Sequence, residues 1–155
     1  MRIVIAEDDR IQADQYVGDL SEAFREAAFI LFRTEKEFRD GLESIAMHPP
    51  DIVILDIMLR WTDPSLDHHA APPDVKAGKF HHAGFRCLEL LRRGDKTREV
   101  PVILYTVVDS AEFKPEVSTL PSNVRMLPKM KTLYNVIAAI REMTGEAKRL
   151  QAGNQ

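Results

Sequence analysis

Cysteine occurs once in the 155 residues, at Cys87. That excludes an internal disulfide and a four-cysteine zinc site. Cys87 lies in the helical pattern Phe85-Arg86-Cys87-Leu88, where a small buried residue is expected. No apolar run approaches the roughly 20 residues that cross a bilayer, so no membrane contact is expected. The chain begins directly with a strand pattern, without a charged segment, apolar stretch and cleavage site in succession. A cytoplasmic location is expected on these grounds. Basic blocks are missing too, and the formal net charge is -3. Binding of nucleic acid through its phosphates is therefore not expected. No repeat and no second domain are visible, and nothing after Gln151 resembles an output domain.

What is present fits one domain with a substantial core, at 45% hydrophobic and 29% charged residues. The elements alternate. Ile3-Val4-Ile5-Ala6 reads as a strand, followed by a helix over 10–27 with Ala13, Val17, Leu20, Phe24 and Ala27 on one face. A short strand is expected over 29–33. Thr34-Glu35-Lys36-Glu37 has the pattern of a capping box and opens a helix facing inward through Phe38, Leu42 and Ile45. His48-Pro49-Pro50 ends that helix, and 52–55 is the third strand. Residues 60–83 read as a long loop, rich in proline and histidine, that the core pattern excludes. The domain is expected to fold without most of it. A helix over 84–93, a strand over 101–107, a short or irregular fourth helix and a strand over 124–127 follow. The last helix has a stripe of Leu133, Val136, Ile137 and Ile140, expected to run past Met143 despite Gly145. The expected division is a single domain over 1–145, with the helix end and tail over 146–155. Alternation of this kind implies a parallel sheet with helices on both faces.

The strand ends carry the chemistry. Asp56 closes the apolar run Ile52-Val53-Ile54-Leu55, and Glu7, Asp8 and Asp9 close the first strand. Open α/β sheets place ligands at the carboxyl ends of their strands. Carboxylates gathered there suit a hard dication, and Mg²⁺ prefers few carboxylates, water and phosphate oxygens. In phosphoryl transfer, Asp56 would be the nucleophile, because a carboxylate can form an acyl phosphate. Glu7, Asp8, Asp56 and the backbone carbonyl of Met58 would hold the metal. Lys129 and Thr106 would stabilise the phosphoryl oxygens. Taken singly, each residue has an ordinary structural role, such as Asp9 capping the first helix. Their order along the chain is what favours a joint site.

These residues resemble the receiver domain of two-component response regulators. The matching pieces are Ile3-Val4-Ile5-Ala6-Glu7-Asp8-Asp9, the run 51–59 around Asp56, the run 84–91, Pro101-Val102-Ile103-Leu104-Tyr105-Thr106 and Lys129. The resemblance implies a flavodoxin-like α/β fold with strand order 2-1-3-4-5. It implies Mg²⁺-dependent phosphorylation of Asp56 by a sensor histidine kinase or a histidine phosphotransfer protein. Glu7 and Asp8 fall on the acidic pair, Thr106 on the hydroxyl residue and Lys129 on the lysine. A stand-alone phosphorelay component is expected, passing its signal to a downstream protein of unknown identity. Family analogy allows a homodimer through the fourth- and fifth-helix face.

Departures from the family pattern concentrate near Asp56. Arg60 replaces a proline, and the glycine expected soon afterwards comes only at Gly84, which reads as an insertion above the site. Val107 stands where a small residue is usual, narrowing phosphoryl access. Met130 follows the lysine in place of proline, and Met126 replaces the switch aromatic. Tyr105 and Tyr134 are candidate substitutes for it. Such changes leave open a pseudo-receiver that signals without phosphate. A Mg²⁺-dependent phosphohydrolase needs a second acid two residues after the nucleophile, where Met58 stands, so no turnover enzyme is expected. In the 60–83 segment, His68-His69 and His81-His82 lie near Asp63, Asp67 and Asp74. Adjacent histidines fit one tetrahedral site poorly, so a solvated or partner-binding loop is preferred to zinc. Trp61, Leu66 and Phe80 are candidates to pin that loop.

Overall fold

The computed structural model describes residues 1–63, 70–78, 80–107, 110–130 and 132–145. Five strands form one parallel sheet: β1 (Arg2–Ala6), β2 (Ala28–Phe32), β3 (Ile52–Leu55), β4 (Val102–Thr106) and β5 (Val124–Pro128), in the order β2-β1-β3-β4-β5. This is the flavodoxin-like arrangement expected from the sequence. The helices are α1 (Arg10–Ala23), α2 (Glu35–Asp40), α3 (Leu42–Met47), α4 (Pro73–Gly78), α5 (Ala83–Arg93), α6 (Lys114–Val117) and α7 (Tyr134–Met143). Strand side chains alternate between faces, so the sheet divides two cores. Ile3, Ile5, Ile52, Ile54, Ile103 and Tyr105 pack against α1 and α7. Val4, Ala6, Val53, Leu55, Val102 and Leu104 pack against α2, α3 and α5, with Cys87 fully buried among them.

Several expectations need correction. α1 stops at Ala23, because Phe24 takes φ -131°, ψ 71° and leaves the helical region. Phe24 and Ala27 still face the core, from a turn closed by the Ala27 N–H on the Phe24 carbonyl at 2.9 Å. The second helix is two pieces joined at Gly41, where an added Cβ would sit 2.5 Å from the Phe32 ring. Glycine lets the backbone pass that close to the sheet. α7 ends at Met143, and Gly145 takes the left-handed φ of 73° that suits a helix stop. The proposed continuation over 146–155 lies outside the described residues.

The 60–83 segment is not simply a loop. It holds α4 and a 3₁₀ turn at Phe80–His82, and Val75 and Ala83 are buried. Its first residues serve the N-terminus of α2, where the carbonyls of Arg60 and Trp61 accept from the Glu35 and Lys36 N–H groups at 3.0 and 3.1 Å. Those are donors that a helix cannot satisfy internally. Glu35 is fully buried and pairs with Arg86 at 2.6 Å and with Arg39 at 2.8 Å, while Arg39 reaches Asp74 of α4 at 2.5 Å. The segment is therefore stitched to α2 and α5. The expectation that the core excludes it does not hold, since its polar residues are held by ion pairs that hydrophobic periodicity does not reveal.

Candidate functional site

Parallel pairing of β1 with β3 sets Ala6 opposite Leu55, so the next residues, Glu7 and Asp56, leave adjacent strands side by side. The Asp56 N–H still donates to the Ala6 carbonyl at 2.9 Å. Carboxylate oxygens of Glu7, Asp8 and Asp56 all lie within 4.8 Å of one another. Lys129 reaches across from the end of β5, its Nζ 2.7 Å from Glu7 Oε2 and 2.7 Å from Asp56 Oδ2. Its backbone N–H donates to the Thr106 carbonyl at 2.8 Å, which ties the end of β5 to β4. Thr106 is buried at the same edge. The Met58 N–H donates to Asp56 Oδ1 at 3.0 Å. Asp9 caps α1, accepting from the Gln12 N–H at 3.0 Å, and its own N–H donates to Glu7 Oε1 at 3.1 Å.

Burial dominates the electrostatics of this group. Glu7 is 2% exposed, and its pKa is pushed up to about 7, first by burial and then by the neighbouring Asp56 charge, with Lys129 opposing both. Asp56 is raised as well, by burial, against the downward pull of Lys129 and the Met58 N–H. For Lys129, burial works downward, but Asp56 and Glu7 outweigh it and the ammonium is held above its ordinary range. The arrangement favours one proton shared among closely placed carboxylates with a fixed cation between them.

The donor set is all oxygen, three carboxylates in one cluster, which fits a hard dication. Glu7, Asp8 and Asp56 are placed to hold one. None of the described histidines joins such a group: His82 packs edge-on to Phe113 with ring centres 5.6 Å apart and pairs with Glu116 at 3.3 Å. His68, His69, Leu66 and Asp67 lie outside the described residues, as does the Phe80 side chain. Trp61 is half-buried, with the Arg39 guanidinium of α2 5.5 Å from its ring centre, as a residue that pins the segment to the domain would be.

Two features were hidden from sequence reasoning. Arg60, read there only as a departure, donates to Asp8 Oδ2 from its N–H at 3.2 Å and from Nε at 2.9 Å. Its position four residues after Asp56 was the available signal. Gly84 is the other. Its N–H donates to the Ile57 carbonyl at 3.0 Å, and an added Cβ would lie 2.6 Å from the Asp56 carbonyl oxygen. The start of α5 thus presses directly on the backbone that carries Asp56.

No protein-family model matches the sequence, and no curated protein matches it. Solved structures do. The receiver domain of a sensor histidine kinase from Pseudomonas aeruginosa, solved with a magnesium ion coordinated in its active-site cleft, is 16% identical, with a TM-score of 0.65 over 93% of this chain and 97% of that one. The signal receiver domain of a DNA-binding response regulator from Colwellia psychrerythraea is 19% identical, with a TM-score of 0.66 over 94% and 98%. A Francisella response regulator receiver domain is 19% identical, with a TM-score of 0.63 over 94% and 98%. This is the receiver fold.

Within that fold, the positions that depart from the family pattern have definite surroundings. Val107 is 73% exposed, next to the buried Thr106. Met126 is half-buried and packs against the α5-side core. Met130 is exposed, and its N–H donates to the Tyr105 hydroxyl at 3.1 Å. Of the two tyrosines considered as switch residues, Tyr105 is fully buried and meets Tyr16 edge-on at 5.5 Å, whereas Tyr134 is 83% exposed.

Proposed function

We propose that the chain is a phosphoacceptor receiver module in which Asp56 accepts a phosphoryl group. The observation that supports this most strongly is the pairing of a buried Asp56 carboxylate with Lys129 Nζ at 2.7 Å, beside Glu7 and Asp8 at one sheet edge. An Asp56 carboxylate oxygen attacks phosphorus and forms an acyl phosphate, while the donor's leaving group departs with the bonding electron pair. Lys129 remains close to the added oxygens and offsets part of their charge. The Thr106 hydroxyl is assigned to donate to one phosphoryl oxygen. Mg²⁺ supplies charge neutralisation when held by Glu7, Asp8, Asp56 and the Met58 carbonyl. The donor is a histidine-phosphorylated kinase or phosphotransfer protein, and the output is a docking event with a downstream protein. Met58, standing where a hydrolase would place its second acid, argues against turnover of external substrates.

The pseudo-receiver reading has one observation in its favour, the Arg60 guanidinium already on Asp8. Intact-mass measurement decides between them. With Mg²⁺ and acetyl phosphate, the wild-type chain gains one acid-labile phosphoryl group, and Asp56→Asn gains none. No gain with several small donors would leave the pseudo-receiver.

A further inference from the structure

Cations already reach all three carboxylates of the site. Lys129 serves Glu7 and Asp56, each at 2.7 Å. Asp8 is served by Arg60, whose Nε and backbone N–H converge on the same oxygen, Oδ2, at 2.9 and 3.2 Å. The two cations differ in how firmly they are held. The Lys129 side chain is 8% exposed, and it is bonded to two carboxylates. The Arg60 side chain is 50% exposed and pairs with Asp8 at 2.9 Å. An ion pair whose arginine is half exposed is screened by water on that side and is held less firmly than a buried one. Room for the exchange lies alongside: a cavity of about 690 Å³ opens beside Asp8, lined by Arg60, Trp61, Val75 and Lys76 among others. The Arg60 guanidinium can swing into it while the Arg60 N–H keeps its bond to Asp8.

We propose that Arg60 is a built-in competitor for the divalent cation at Asp8, and that its release from Asp8 sets how tightly the site takes metal. This rests on the metal-site reading above. Arg60 acts on the cation in two ways. Its Nε takes up one of the two Asp8 carboxylate oxygens, Oδ2, and its charge repels a dication nearby. A unit charge held about 6 Å from a dication in water-like surroundings changes its affinity by roughly tenfold. The guanidinium's planar fork also matters, because a lysine would bring the same charge without the fixed Nε contact.

Trp61 adjoins Arg60, lines the same cavity and is the chain's single tryptophan, so its fluorescence reports Arg60 moving off Asp8. The experiment titrates Mg²⁺ into the wild-type chain, Arg60→Ala and Arg60→Lys, followed by Trp61 emission and by calorimetry, without any phosphodonor. Arg60→Ala should bind Mg²⁺ roughly tenfold more tightly, and Arg60→Lys should fall between it and wild type. Trp61 emission should change on metal addition in the wild type and much less in Arg60→Ala, where nothing is displaced. Equal affinities in all three chains, or weaker binding by Arg60→Ala, overturn the competition while leaving the metal site standing. Absence of binding in every chain, with circular dichroism showing each folded, overturns both. Should Arg60→Ala fail to fold, Arg60→Gln against Arg60→Lys carries the same comparison.

Discussion

Glu7 is the residue whose state depends most on its surroundings. Buried beside Asp56, it holds its proton up to about pH 7, whereas an unfolded glutamate releases it near 4.5. Between those values the native chain binds more protons than the unfolded one, so raising the pH lowers stability across that window. Above about 7 both states are ionised and the contribution is flat. In the presence of a chelator, the urea midpoint should therefore fall as pH rises from 5 to 7 (about 1–3 kcal/mol in all), and Glu7→Gln should flatten the fall. A slope that survives Glu7→Gln would move the retained proton to Asp56. Sequence reasoning placed Glu7, Asp8, Asp56, Lys129 and Thr106 at one edge, because strand ends and residue order are enough for that. It did not foresee the retained proton, which depends on how deeply Glu7 is buried. Nor did it find the Arg60–Asp8 pair, which depends on the path of the chain after Met58.

At the scale of elements, the strands were legible to within about a residue, since runs such as Ile52-Val53-Ile54-Leu55 are apolar throughout and buried on both faces. Helix ends followed their signals where a side chain does the capping. Thr34 accepts from the Glu37 N–H at 3.1 Å as the capping pattern implies, although Glu37 reaches back to the Arg33 N–H, at 2.6 Å, rather than to that of Thr34. Signals failed where tertiary packing decides, as at Gly41 against Phe32 and at Phe24. α4 escaped notice because a six-residue helix begun by Pro73 has too few turns to show a period. Gly84 gives the sharpest test at this scale. Gly84→Ala should drive a methyl group into the Asp56 backbone and destabilise the domain by about 1–3 kcal/mol, read as a lower urea midpoint. A neutral effect would mean that α5 can slide away from β3 without penalty.

For the whole molecule, one parallel sheet with a core on each face makes the carboxyl edge the place where distant parts of the chain meet. Lys129, just past β5, bonds the end of β4 through its backbone and the residues after β1 and β3 through its side chain. The Glu35, Arg39, Arg86 and Asp74 ion pairs do comparable work among the helices, holding α2, α4 and α5 together. The order of the five strands followed from the resemblance, and the sheet has that order. What the sequence did not disclose is that residues 60–83 join both networks, Arg60 in one and Asp74 in the other.

Cys87 lies at the centre of α5 with no exposed surface, and burial lifts its thiol well above the ordinary range. Thiolate is the reactive form, so Ellman's reagent should find no thiol in the native protein and one after denaturation. A rapid native reaction would mean that α5 opens locally. The silent thiol gives spectroscopists a ready background: a cysteine introduced at exposed Ile11 or Val107 could carry a dye or spin label on an otherwise wild-type chain.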